Sequence, residues 1–145
     1  MWRVARDSRT LDLNSSYTYL LFARDFAATS RVAISAGEVV GFVIGYLRPE
    51  AEDRLFIWQI AVDQSQRGQG VAARLLEALL ADLPQVTHLE TTITEDNAAS
   101  QRLFASLAER HGAGHEIEPL MGAEDFPDDH DAEHLHTIGA LNARV

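Results

Sequence analysis

Neither cysteine nor lysine occurs in this sequence. The first absence removes disulfides, thiolate nucleophiles and cysteine-held zinc. The second removes P-loop and Schiff-base lysine chemistry and leaves arginine as the whole basic complement. No apolar run approaches the ~18 residues that cross a bilayer, and the opening Met-Trp-Arg-Val-Ala-Arg has no apolar stretch ahead of a cleavage site. A cytoplasmic location without a membrane partner is therefore expected. A basic stripe is also missing. The 12 arginines face 22 acids, a net charge of −10. Residues 1 to 72 hold eight arginines and eight acids, so residues 73 to 145 carry the whole imbalance with four and fourteen. Nucleic acid is thereby disfavoured as a partner, and a cationic small molecule is the more natural one; the plain alternative is that the acids only keep the protein in solution.

What is present is ordinary globular material. The chain has 145 residues, 46 % hydrophobic and 23 % charged, which fits one folded domain over 1–145 with a core that needs no staple. Segment 15 to 29 places Tyr17, Leu20, Leu21 and Ala28 at helical spacing, with Asn14 or Ser15 as N-cap. RVAIS and EVVGFVIGYLR, joined by Ala36-Gly37, predict a hairpin, and the polar RPEAEDR run predicts a surface loop. LFIWQIAV (55 to 62) is too apolar for a one-faced strand and predicts a central one. A helix should follow in GVAARLLEALLADL and end near Pro84. VTHLETTIT predicts a strand, and DNAASQRLFASLAERH a helix capped by Asp96 or Asn97. Residues 112 to 129 read as a long loop or lid, before a last short strand near 134 to 139. Antiparallel strands leading into a strand–helix–strand crossover predict an α/β (α+β) fold with a three-layer mixed sheet.

The sharpest local feature is VDQSQRGQGVAARLL. A strand runs through Gly68 and Gly70 directly into a helix, so backbone N–H groups converge where the helix dipole is positive, and Arg67 adds charge. This arrangement suits a phosphate; the plain alternative is a turn. Gly68, Gly70 and Ala73 also satisfy G-x-G-x-x-[GA], with Glu90 twenty residues past Gly70. A dinucleotide site nevertheless fits poorly, because five residues, Asp63 to Arg67, separate the strand from the first glycine.

IAVDQSQRGQGVAARLL resembles the acetyl-coenzyme A motif of the GNAT superfamily of N-acetyltransferases, whose Arg/Gln-x-x-Gly-x-Gly/Ala pattern is met by Arg67, Gly70 and Ala72. TEDNAASQRLFASLA is similar to that superfamily's second motif. LDLNSSYTYLL, FIWQIAVD, HLETTITEDNAAS and the terminal HDAEHL together resemble the diaminobutyrate acetyltransferases of ectoine biosynthesis over nearly the whole chain. The resemblance implies a GNAT fold, mostly antiparallel, with helices on both faces; GNAT domains normally begin with a strand and a full first helix, and this chain departs from that by opening in what reads as the end of that helix, its start truncated or its first strand missing. It also implies acetyl transfer from acetyl-CoA to the 4-amino group of L-2,4-diaminobutyrate, without a metal, in a cytoplasmic homodimer. Another small-amine or polyamine acetyltransferase, or a non-catalytic acetyl-CoA binding module, is the alternative.

On this resemblance acetyl-CoA would meet Ile60, Val62, Gln66, Arg67, Gly68, Gly70, Ala72, Asn97 and Phe104, with main-chain N–H groups of the strand ending at Val62 facing the thioester oxygen. Asp12 would bind the substrate ammonium, with Ser15, Tyr17 and Tyr19 nearby, Trp58 as a wall, and His130 and Glu133 on the far side. Asp12 also reads as a plain capping residue, and Trp58 as core. Where many GNAT enzymes carry a tyrosine acid, Phe104 cannot donate a proton. His130, Glu133 and His134 spell the inverted zincin pattern, but that pattern needs a helix, and the residues around His134 alternate like a strand.

Overall fold

The computed structural model describes residues 1–142, and the elements follow the expected order with additions. Helices α1 (Trp2–Ser8) and α2 (Ser16–Asp25) precede strands β1 (Ser30–Ser35), β2 (Glu38–Arg48) and β3 (Ala51–Val62). Helix α3 (Val71–Ala81), β4 (His88–Thr94), α4 (Ala98–His111), β5 (Gly114–Met121) and β6 (Glu133–Gly139) complete the chain. The six strands lie in the order β1-β2-β3-β4-β6-β5, and the sheet is mixed and mostly antiparallel. No helix among the described residues is long and apolar enough to cross a membrane.

Two compact units divide the chain, the first comprising 1–47 and 57–84, the second 48–56 and 85 onward. In the first unit the hairpin β1–β2 turns at Ala36 and Gly37, both at positive φ, as a tight antiparallel turn demands. Strand β2 presents Phe42 and Ile44 to one face, where they form a core with Val4 and Ala5 of α1 and Tyr19 of α2. Gly41 lies on the opposite face. A Cβ there would sit 3.2 Å from the Ala61 carbonyl and 3.4 Å from Val71 at the start of α3. Glycine thus lets the start of α3 come close to the sheet, so this unit carries α1 and α2 on one face of its strands and α3 on the other.

In the second unit β6 inserts between β4 and β5 and pairs antiparallel with both, Thr91 opposite His136 and His136 opposite Ile117. Leu89, Ile93, Phe104, Leu107 and Ile138 are buried. Helix α4 is capped by Asn97, whose side chain accepts from the Ser100 N–H at 3.1 Å.

Three expectations are corrected. The RPEAEDR run is not a loop: β2 continues to Arg48 and β3 starts at Ala51. Its polarity reflects work done on the strand, since the Asp53 carbonyl accepts from the Thr87 N–H at 2.8 Å and Arg48 and Arg54 both bond Glu90. The segment from 112 to 129 holds the edge strand β5; charged Glu116 and Glu118 and Pro119 suit a strand paired on one side only. Helix α2 is turned differently from its apolar spacing. Tyr17 (66 % exposed) and Leu20 (69 %) face outward, while Tyr19 is buried, because its ring meets Phe42 edge-on and its hydroxyl finds a partner inside.

Candidate active site

The loop expected to hold a phosphate, residues 63 to 72, lies in the first unit. Strand β3 ends at Val62, a short turn covers Gln64–Gln66, and α3 starts at Val71 with Gly70 as its N-cap. Gly68 and Gly70 have φ of 77° and 72°, a region costly to residues with a Cβ. Nothing lies within 4 Å of a Cβ at either position, so the glycines serve backbone conformation and leave open space above it. No side chain caps α3, and its first N–H groups therefore remain available to an acceptor from outside. Arg67 is exposed beside them and forms no ion pair among the described residues. Ala72 lies in the first turn of α3, and the main chain of Ile60 and Val62 runs up to the loop. These features fit a diphosphate and the acyl arm joined to it.

The loop entry is also fixed. Asp63 donates its N–H to the Val40 carbonyl at 2.7 Å, and its carboxylate receives both terminal nitrogens of Arg3, at 2.8 and 3.2 Å. Arg3 in turn donates to the Val39 carbonyl at 2.7 Å, so α1, β2 and the loop share one guanidinium. That hydrogen bond with Asp63 raises the Arg3 pKa further above its ordinary value.

The residues expected on the substrate side, Asp12, Ser15, Tyr17, Tyr19 and Trp58, form a second arrangement in the same unit. Asp12 lies in the segment between α1 and α2 and is exposed. Its backbone carbonyl accepts from the Gln59 side-chain amide at 2.9 Å, while the Gln59 oxygen accepts from the Tyr19 hydroxyl at 2.7 Å. Both Gln59 and Tyr19 are buried. Tyr19 is therefore closed to an external molecule, against the expectation of a substrate contact, and instead holds Gln59 against the Asp12 segment. Ser15 spends its hydroxyl on the α2 cap, accepting from the Thr18 N–H at 3.4 Å. Tyr17 is exposed close after Asp12. Trp58, next to Gln59 on β3, stacks on Phe22 of α2 with centroids 4.8 Å apart. It is half-buried, leaving part of the ring accessible.

Of the expected residues in the second unit, His130 and Glu133 are together: His130 Nε2 is 3.9 Å from Glu133 Oε1, and the His130 ring stacks on Phe126 at 4.0 Å. Asn97 is committed to capping α4. Phe104 is only 1 % exposed and lies on the buried face of α4 with Leu107. This overturns its expected contact with acetyl-CoA, because its ring is enclosed by the core. Glu133 and His134 lie on β6, so the zincin-like spacing has no helix to project from. Among the described residues no group of three or more His, Asp or Glu could hold a metal ion.

Sequence reading missed Gln59, Arg3 and Asp63. A glutamine inside the apolar run LFIWQIAV is itself the available signal, since a buried amide needs partners for both its ends.

Comparisons with known proteins agree with this geometry. Residues 2–108 match the family described as acetyltransferase (GNAT). The L-2,4-diaminobutyric acid acetyltransferase of Streptomyces avermitilis is 54 % identical over 98 % of this chain and 82 % of its own length. That of Streptomyces coelicolor is 53 % identical over 99 % and 87 %. The solved diaminobutyrate acetyltransferase of Paenibacillus lautus, in complex with L-2,4-diaminobutyric acid and coenzyme A, superposes with a TM-score of 0.94. It is 37 % identical, with 99 % of this chain and 89 % of that one covered. The chain belongs to the GNAT acetyltransferase family and, within it, to the L-2,4-diaminobutyric acid acetyltransferases.

Proposed function

We propose that the protein transfers the acetyl group of acetyl-CoA to the 4-amino group of L-2,4-diaminobutyrate, giving the N4-acetyl product that ectoine synthesis uses. The observation that carries this reading is the Asp12 segment. A buried glutamine and a buried tyrosine fix the backbone of an exposed carboxylate.

Acetyl-CoA, when bound, supplies an acetyl thioester. The glycine loop and the uncapped start of α3 hold its diphosphate, with Arg67 alongside and Gln66 and Ala72 lining the approach. Ile60 and Val62 offer their main chain to the acyl arm. A main-chain N–H at the end of β3 stabilises the carbonyl oxygen as it gains charge. Asp12 pairs with the ammonium of diaminobutyrate that is not acetylated and so orients the other amine, which attacks once neutral. Tyr17 and Trp58 line the aliphatic part. With no cysteine in the chain and no serine held by a histidine base among the described hydrogen bonds, the amine attacks directly. As the C–N bond forms the amine proton passes to water, the C–S bond breaks, and the coenzyme A thiolate leaves and is protonated from water, Phe104 taking no part in proton transfer. The same reading treats residues 1–145 as one functional domain of a cytoplasmic homodimer that serves osmoprotection; sedimentation equilibrium tests the dimer.

The decisive measurement is thiol release from acetyl-CoA with diaminobutyrate, ornithine and spermidine, with the product identified by NMR. Diaminobutyrate should have the highest kcat/KM and be acetylated at N4. A preference for spermidine would make the chain a polyamine acetyltransferase, and turnover of none would make it a binding module.

A further inference from the structure

Helix α1 and strand β2 both bond the corner where β3 becomes the glycine loop, and all three polar groups of Asp63 are committed there. Its N–H pairs with the Val40 carbonyl at 2.7 Å, and its carbonyl accepts from the Gln66 N–H at 2.9 Å. Its carboxylate takes both terminal nitrogens of Arg3. Arg3 is fixed in turn by the Val39 carbonyl at 2.7 Å and by Asp7, one helical turn on, at 3.3 Å. The Asp63 side chain is 16 % exposed against 44 % for Arg3, so the pair is sheltered from water on its acidic side.

Past this corner the loop has little to hold it. Among the described residues no side chain from 64 to 70 forms a hydrogen bond, and from outside only Arg74 reaches that stretch, at the Gln69 carbonyl and 3.4 Å. A space of about 270 Å³ between α1 and the loop is bordered by Arg3, Asp7, Asp63, Gln64 and Ser65, so little apolar packing secures the one against the other. Gly68 and Gly70 add the largest backbone freedom of any residue type. A loop of this kind, left loose, must be ordered when its ligand arrives, and that cost is subtracted from affinity.

Resting on the acetyl-CoA reading above, we propose that Arg3 and Asp63 are positioning residues for the cosubstrate, their ion pair tethering the loop to α1 so that its N–H groups are ordered before the diphosphate arrives. Both act through the loop rather than by contact. The sign of Asp63 makes the idea testable. As a bare charge beside a diphosphate a carboxylate repels, so its removal should help binding; as one end of a tether it holds the loop, so its removal should hurt.

Calorimetry with acetyl-CoA on the full chain, Arg3→Gln, Asp63→Asn and the double variant decides between them. Each single variant should bind about fivefold more weakly, the scale of a partly exposed ion pair. The double variant should be no weaker than either, because the same tether is lost in all three. The KM for acetyl-CoA should rise in step, while kcat and the KM for diaminobutyrate stay within about twofold of wild type, since Gln59 fixes the Asp12 segment separately. Arg24→Gln, which breaks an exposed pair on α2, should leave acetyl-CoA affinity unchanged, and thermal melting of each variant confirms folding. An Asp63→Asn that binds more tightly, additive losses in the double variant, an equal loss in Arg24→Gln, or variants that melt lower yet bind like wild type would overturn the proposal and leave the acetyl-CoA reading standing. Failure of the wild type to bind acetyl-CoA would overturn both.

Discussion

The two units bury polar groups in opposite ways. In the first, the buried polar side chain of β3 is neutral: Gln59 joins the Tyr19 hydroxyl to the Asp12 carbonyl through two hydrogen bonds. In the second, the corresponding group is a charge. The side chain of Glu90 on β4 is 3 % exposed and is met by Arg48 and Arg54, each about half exposed or less. A neutral bridge costs little to desolvate and fixes direction, so it suits a segment that must present a carboxylate outward. A buried carboxylate is costly unless it is paired, and removing one partner is strongly destabilising. It suits a joint between strands, as the Arg48 and Arg54 ends of the β2–β3 hairpin meet Glu90. One unit uses its interior polarity to fix an exposed segment, the other to close a sheet.

Asp12→Asn separates aim from stability most sharply. Losing one partner of a desolvated charged contact costs about 2 to 5 kcal/mol. The variant should therefore lose about thirtyfold or more in kcat/KM for diaminobutyrate, with acetyl-CoA affinity and melting temperature nearly unchanged. A near-wild-type kcat/KM would return Asp12 to the role of a turn residue.

Gly70→Val addresses the other half of the first unit. Valine at φ 72° is β-branched in the left-handed region, and its side chain occupies the open space above the loop. Acetyl-CoA affinity should fall about tenfold or more by calorimetry. Unchanged affinity would remove the loop from the cofactor site.

Gln59→Leu tests whether the neutral bridge acts through Asp12. The change strands a buried hydroxyl and leaves a carbonyl without its donor, a loss of about 2 kcal/mol in stability. On the positioning reading, KM for diaminobutyrate also rises several-fold while KM for acetyl-CoA stays put. Tyr19→Phe, which removes one bond and keeps the amide on Asp12, should lose stability with little change in KM. Parallel changes in both substrates' KM would make Gln59 an ordinary core residue.

How much of this was legible in the sequence follows the same division. The glycine loop could be read because local rules govern it: two glycines between an apolar strand and an amphipathic helix leave few conformations. The helix caps and the hairpin at Ala36-Gly37 were local too. The orientation of α2 was not. Tyr17, Leu20 and Leu21 have helical spacing, but the position of Gln59, forty residues away, decides that Tyr19 faces inward. Strand β5 escaped notice because an edge strand needs only one buried row, and its alternation of charge with His115 and Ile117 resembles a solvated loop. Phe104 was assigned to the cofactor by motif position alone, whereas its burial depends on the packing of α4.

The smallest expected effect belongs to the second unit and shows how its interior polarity responds to acid. His115 Nε2 and His136 Nδ1 lie 3.0 Å apart, one ring donating to the other when both are neutral. Burial pushes both imidazoles below their ordinary pKa of 6.5, and for His136 the neighbouring His115 and His134 add to the effect. As pH falls through 6.5 the unfolded chain takes up protons that the folded pair refuses. Stability is therefore full above that value and declines below it, levelling once the folded pair titrates. The melting temperature should fall on going from pH 7.5 to pH 5.5. His136→Gln, which keeps a hydrogen-bonding amide but does not titrate, should flatten that decline, while Gln59→Leu should leave its slope unchanged. Exposed Asp7 and Asp25, each held below the usual carboxylate range by hydrogen bonds from a neighbouring arginine, act only at lower pH. An equally steep decline in His136→Gln would move the acid sensitivity away from the histidine pair.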